Sequence, residues 1–155
     1  YIATGTQRSR RIGVDGEDLP GVYHGLDFLR DVNLGKDLRL SGSVAVIGGG
    51  STAMDAARVA LRIGAKEVTV LYRRSIEDMP ADRREIDEAV EEGIVIRELV
   101  EPLYFAGTEH VEKVVCRRMV LKGFDRDGRR QPVKSDDGVV EFPVDSVILA
   151  DLSPE

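Results

Sequence analysis

The sequence predicts an α/β domain of the Rossmann-like type, a three-layer fold on a parallel sheet with an antiparallel β insertion. Three observations predict it. The apolar run at residues 44–47 leads straight into Gly48-Gly49-Gly50, as a strand buried on both faces of a parallel sheet does. Helix and strand patterns then follow within about 30 residues, the length of a βαβ unit. Past residue 100 the helical spacing stops and strand patterns succeed one another directly.

The elements are expected in this order. Residues 5–21 are polar and glycine-rich, with Arg8, Arg10 and Arg11 and then Asp15-Gly16-Glu17-Asp18, and read as a connector. Within residues 25–33, Leu26, Leu29 and Val32 recur every third position beside Phe28, which suits a short amphipathic helix ended by Gly35. After the strand at 44–47, residues 52–63 are rich in alanine with Met54, Leu61 and Ile63, a helix closed by Gly64. Residues 68–72 form the second strand of the unit. A second helix is expected near Pro80, with proline in its first turn beside Asp82, an apolar stripe of Ile86, Ala89 and Val90, and an end at Gly93. Residues 94–96 are the third strand, which makes half of a doubly wound fold.

The insertion comprises strands at 103–106, 111–121 and 139–144, with Asp127-Gly128 and Asp137-Gly138 as turns. Residues 147–150 return to the parallel sheet. Ile2-Ala3-Thr4-Gly5 also reads as the end of a strand, so strand-like segments at both ends suggest an excised domain. The organisation expected is residues 1–40 as a connector and short helix, 41–150 as the nucleotide-binding domain and 151–155 as a tail.

The 155 residues are 42% hydrophobic and 32% charged with a net charge of −6, ordinary for a water-exposed globular domain. That acidity argues against a nucleic-acid partner, because no basic surface dominates to release phosphate counterions. No apolar run reaches the length of a membrane span. The single cysteine, Cys116, excludes an internal disulfide, a Cys-x-x-Cys pair and an iron–sulfur cluster held within one chain. A reducing, cytoplasmic setting is the expectation.

The chemistry concentrates at Gly48-Gly49-Gly50-Ser51-Thr52-Ala53, whose spacing G-x-G-x-x-A matches the dinucleotide fingerprint in its alanine form. Gly48 permits the tight turn, Gly50 lets the backbone approach a pyrophosphate, and Ala53 lets the helix pack on the sheet. N–H groups at the helix start then face the phosphates. No Gly-Lys-Ser/Thr follows, which excludes a nucleoside-triphosphate P-loop. An NAD site places a carboxylate about 20 residues further on to hold the ribose hydroxyls; here Arg73 and Arg74 stand there. A guanidinium binds a 2′-phosphate with paired, charge-assisted hydrogen bonds, so the spacing points to NADPH. Ser75 is a further candidate donor. Arg83 and Arg84, four residues before Asp87 and Glu88, are read as helix-surface ion pairs. His24 and His110 have no partner pattern, Asp125-x-Asp127-Gly128 lacks the further acidic ligands of a calcium loop, and Glu91-Glu92 reads as a solvated face. No catalytic acid, base or nucleophile and no metal site is assigned. The alternatives are a non-catalytic nucleotide-sensing module and a methyltransferase using S-adenosylmethionine, against which the two arginines argue.

Several stretches, taken in order, resemble the NADPH-binding domain of the FAD-dependent pyridine nucleotide-disulfide oxidoreductase superfamily, in its glutamate synthase small-subunit branch. They are Ala3-Thr4-Gly5, Gly48 through Ala57, Tyr72-Arg73-Arg74, Met79-Pro80-Ala81 with Arg83-Arg84-Glu85, Glu91-Glu92-Gly93, and Gly128-Arg129-Arg130 with Pro132-Val133. Dihydropyrimidine dehydrogenase and NADH-dependent ferredoxin:NADP oxidoreductases carry related domains. The resemblance implies a domain inserted in a larger FAD domain, which would position a nicotinamide for hydride exchange with FAD held by the parent protein. It implies that Gly48, Gly50, Ser51 and Thr52 contact the pyrophosphate and that Arg73 and Arg74 hold the 2′-phosphate. Gly49, Ala53 and Ala150 complete the expected cofactor-lining set. The implied partners are the FAD domain and iron–sulfur or glutaminase/synthase subunits of a parent enzyme. Where the family has a glycine-containing turn after the last strand, this chain reads Asp151-Leu152-Ser153-Pro154-Glu155. The family's FAD glycine motif and cluster cysteines are absent from this sequence, so the chain alone is expected to bind neither group and to be inactive without the FAD domain.

Overall fold

The computed structural model describes residues 12–124, 128 and 130–150. The strand-like residues 2–5, the arginines at 8, 10 and 11, Asp125, Asp127 and the tail 151–155 lie outside the described residues.

The chain runs β1 (Val22–His24), α1 (Gly25–Asn33), β2 (Ser43–Ile47), α2 (Ser51–Arg62), β3 (Glu67–Leu71), a 3₁₀ turn (Ile76–Asp78), α3 (Arg83–Glu91), β4 (Val95–Arg97), β5 (Val100–Gly107), β6 (Val111–Phe124), β7 (Arg130–Pro143) and β8 (Ser146–Leu149). Strands β1, β8, β2, β3 and β4 form one sheet in that order, every pairing parallel. Strands β5, β6 and β7 form a separate antiparallel sheet.

Side chains alternate along a strand, so each parallel strand feeds two cores. Val44, Val46, Val68, Val70 and Ile148 face one way and pack with Phe28 of α1, Met54 and the alanines of α2, and Ile86 and Ala89 of α3. Ala45, Ile47, Leu71, Val147 and Leu149 face the other way and pack with Phe105, Val111, Val114 and Cys116 of the antiparallel sheet. The three layers are therefore helices, parallel sheet and antiparallel sheet. Ala53, Ala56, Ala57 and Ala60 of α2 are all fully buried, so this helix seats close to the strands beneath it.

The expected α1 coincides with the observed one, and Gly35, just past its end, takes a φ of +78°. Gly64 and Gly93 follow the ends of α2 and α3 as expected. Four expectations are corrected. First, residues 22–24, for which no element was expected, form an edge strand paired to β8, beside the expected short helix α1, which joins the helical layer. Second, α3 starts at Arg83, not near Pro80. Asp82 is its N-cap: the Asp82 carboxylate accepts from the Arg84 N–H, and the Glu85 carboxylate accepts from the Asp82 N–H. This capping box satisfies two otherwise orphaned donors, while Pro80 sits before it, after the 3₁₀ turn. Third, Val90 is 52% exposed, and only Ile86 and Ala89 of the expected stripe are buried. Fourth, Asp137-Gly138 is no hairpin turn. Both residues lie within β7, where the register jumps from Arg117↔Val139 to Met119↔Lys134, and Gly138 adopts φ +83° in the resulting bulge.

Candidate functional site

Three strand ends converge on the carboxyl side of the parallel sheet, where ligands of open α/β sheets bind. Gly48-Gly49-Gly50 leaves β2, Tyr72-Arg73-Arg74 leaves β3, and Ala150 leaves β8. Main-chain hydrogen bonds join them: Gly48 N–H donates to Leu71 O at 3.1 Å, and Ala150 N–H to Ile47 O at 2.8 Å. Gly49 O in turn accepts from Ala81 N–H at 3.1 Å, which ties the glycine turn to the approach of α3.

Gly48 holds φ +135°, a conformation open to glycine and strained for other residues. Gly49 lies against the Tyr72 ring; a Cβ there would stand 2.6 Å from its Cε1. Gly50 is the N-cap of α2 and a Cβ on it would meet nothing within 4 Å. Having no side chain, Gly50 cannot cap the helix, so the first N–H groups of α2 have no side-chain acceptor there. This uncapped end of a twelve-residue helix, beside a backbone reduced to glycine, suits an anionic group. Ala53 is fully buried beneath it and Thr52 half-buried. The exposed Ser51 hydroxyl donates to Glu85 Oε1 at 2.9 Å, so Glu85, which the sequence reading did not single out as a site residue, links the starts of α2 and α3.

The Tyr72–Arg74 segment is fixed by a ladder to the β4–β5 corner. Tyr72 N–H donates to Arg97 O, Val100 N–H to Tyr72 O, and Leu99 N–H to Arg74 O, all at 3.0–3.1 Å. Leu99 itself takes φ +61°. The Tyr72 hydroxyl donates to Asp78 O at 3.1 Å. Arg74 is buried, whereas the Arg73 side chain is 30% exposed and its Nη1 lies 3.9 Å from Glu101 Oε2. Ser75 is buried and its hydroxyl donates to Asp78 Oδ2 at 3.0 Å, which engages the donor expected at the phosphate.

The structure also places the remaining residues singled out in the sequence. Arg83 pairs with Asp87 at 3.4 Å. Glu88 and Glu92 pair instead with Arg58 of α2, at 3.4 and 2.6 Å, so Glu92 joins two helices and is no merely solvated charge. The Arg58 guanidinium pKa is raised, first by its hydrogen bond to Glu92. Cys116 is fully buried between the sheets, and desolvation pushes its thiol up to about 12, which makes it a packing residue. His110 Nδ1 lies 3.0 Å from Val111 O. Among the described residues no group of three His, Cys, Asp or Glu side chains is placed to hold a metal, and no helix is long and apolar enough to cross a membrane.

Comparisons with known proteins fit this geometry. Residues 1–150 match the family model for pyridine nucleotide-disulphide oxidoreductases. The chain is 44% identical, over 97% of its length, to the NADP(+)-dependent formate dehydrogenase subunit beta of Moorella thermoacetica, of which it spans 22%. It is 39% identical, over 97% of its length, to the glutamate synthase [NADPH] small chain of Halomonas elongata, spanning 34% of that protein. Among solved structures, Mycobacterium tuberculosis FprA in complex with NADPH superposes with a TM-score of 0.76 at 21% identity, over 93% of this chain and 47% of that one. The last likeness shows the fold. The chain thus corresponds to about a fifth to a third of the length of these curated relatives.

Proposed function

The chain belongs to the pyridine nucleotide-disulphide oxidoreductase family, and from that premise we propose that it is the NADPH-binding domain of a larger flavin-dependent oxidoreductase. One observation carries the reading: the uncapped start of α2 at Gly50 adjoins a strand end that bears Arg73, where an NAD site would bear a carboxylate. The fit to the dinucleotide rests on that pairing. The N–H groups of Ser51, Thr52 and Ala53 would receive the pyrophosphate, with Gly48 and Gly49 shaping the turn and Gly50 admitting the phosphate to the backbone. Arg73 would take the 2′-phosphate, with the buried Arg74 behind it. Ala150, at the end of the neighbouring strand β8, would border the path toward the nicotinamide. When bound, NADPH supplies a hydride to be exchanged with FAD held by the rest of the parent protein, and this domain binds and orients. The junctions with the FAD-binding part would lie before β1 and after Ala150. The names of the relatives support an NADP-linked parent, and its other subunits belong to the same proposal.

Calorimetry with NADPH and NADH side by side, on wild type and Arg73→Ala, tests this. NADPH should bind more tightly, and the variant should lose roughly 10–100-fold in NADPH affinity while NADH is unaffected, as expected for a charge-assisted hydrogen bond removed. Equal binding of both nucleotides by wild type would overturn the 2′-phosphate assignment, and failure to bind either would overturn the dinucleotide site.

A further inference from the structure

Arg73 does not stand alone. Glu101 of β5 lies directly opposite Arg117 of β6 in the antiparallel register. Arg117 Nε is 3.4 Å from Glu101 Oε1, and Arg73 Nη1 is 3.9 Å from Glu101 Oε2. One carboxylate therefore lies between two guanidiniums, one from each sheet. Arg117 Nε is buried without a hydrogen-bond partner, so its relation to Glu101 is one of charge and proximity. The Arg73 contact is likewise too long for a hydrogen bond.

The signs of the charges decide what this arrangement does. A carboxylate beside Arg73 would by itself cancel the guanidinium's charge and repel an incoming phosphate dianion. Opposite charges across adjacent strands attract, so Arg117 offsets Glu101 and the three groups together keep a charge of +1. All three side chains are only 27–30% exposed, so water screens them less than it screens charges on an open surface. The bland alternative is a cross-strand ion pair that only stabilises the insertion. That alternative predicts no difference between the two nucleotides, because NADH lacks the 2′-phosphate.

We propose that Arg117 is a specificity-setting, positioning residue of the nucleotide site: by neutralising Glu101 it keeps Arg73 effective as the cation that prefers NADPH over NADH. The antiparallel insertion then contributes to cofactor choice. This inference rests on the NADPH reading given above.

The test is calorimetric binding of NADPH and NADH to the full-length protein carrying Arg117→Met, Arg117→Lys, and Arg117→Met combined with Glu101→Gln. Arg117→Met should weaken NADPH by about fivefold, the scale of a partly exposed charge pair, and leave NADH within about twofold. Arg117→Lys, which keeps the charge, should retain most of the preference. Adding Glu101→Gln to Arg117→Met should restore NADPH binding, because the uncompensated carboxylate is gone. Equal losses for both nucleotides, or no restoration in the double variant, would overturn the proposal. Arg73→Ala separates the two levels. If it leaves the NADPH preference intact, the 2′-phosphate reading fails; if it removes the preference while Arg117→Met does not, only the role of Arg117 fails.

Discussion

Three consecutive glycines at residues 48–50 stand in three different physical situations. Gly48 is needed for its backbone angle and Gly49 for the Tyr72 ring beside it, whereas a Cβ on Gly50 would meet nothing within 4 Å, so its need for glycine belongs to the proposed phosphate contact. Alanine substitution should separate them. Gly50→Ala has room for its methyl and should cost less than about 1 kcal/mol of stability, while reducing NADPH affinity more than tenfold if a phosphate sits against that backbone. Gly49→Ala should destabilise by about 1–3 kcal/mol, because the ring must move. Thermal melts read the first quantity and calorimetry the second. A Gly50→Ala protein with unchanged NADPH affinity would remove the phosphate from this turn. The spacing G-x-G-x-x-A gave reasons for Gly48 and Gly50 but none for Gly49, because Tyr72 meets it only through the pairing of β2 with β3. The partner of the Ser51 hydroxyl was illegible for the same reason: its acceptor, Glu85, lies on another helix.

At the level of elements, periodicity located all three helices and most strands, since long amphipathic or continuous apolar patterns dominate local propensity. The failures share a cause, which is competition between local signals. Pro80 and Asp82 are both helix-start residues, and the capping box with Glu85 decided in favour of Asp82. Asp137-Gly138 carries hairpin chemistry, yet the ladder continues through it as a bulge because residues on both sides pair with β6. The strand β1 is three residues long and exists through its partner β8, so no local pattern could announce it. Asp82→Ala should cost about 1 kcal/mol by freeing the first N–H groups of α3. Urea denaturation checks this, and an unchanged midpoint would mean that packing of Ile86 and Ala89 alone sets where α3 begins.

For the molecule as a whole, the sequence made the antiparallel insertion legible as a loss of helical spacing, but not the face it covers. That depends on which side chains of β2, β3 and β8 point away from the helices, and alternation assigns Ala45, Ile47, Leu71, Val147 and Leu149 to it. Phe105 is a large aromatic of this second core and is 3% exposed. Phe105→Ala should destabilise by about 3–5 kcal/mol through lost burial and the cavity left behind, measured by urea denaturation. A loss below about 1 kcal/mol would show that the two sheets are not packed as one cooperative body. The order of strands has a consequence for how the molecule is made. Strand β8 lies between β1 and β2, yet it is synthesised after the whole insertion. At about 5–20 residues per second, translation from the end of β2 to the start of β8 takes on the order of 5–20 s. Throughout that interval the nascent chain holds β1 and β2 without the strand that joins them. The strand end that carries Ala150, proposed above to border the nucleotide, therefore emerges only after the sheet that holds Glu101 and Arg117 beside Arg73 has been produced.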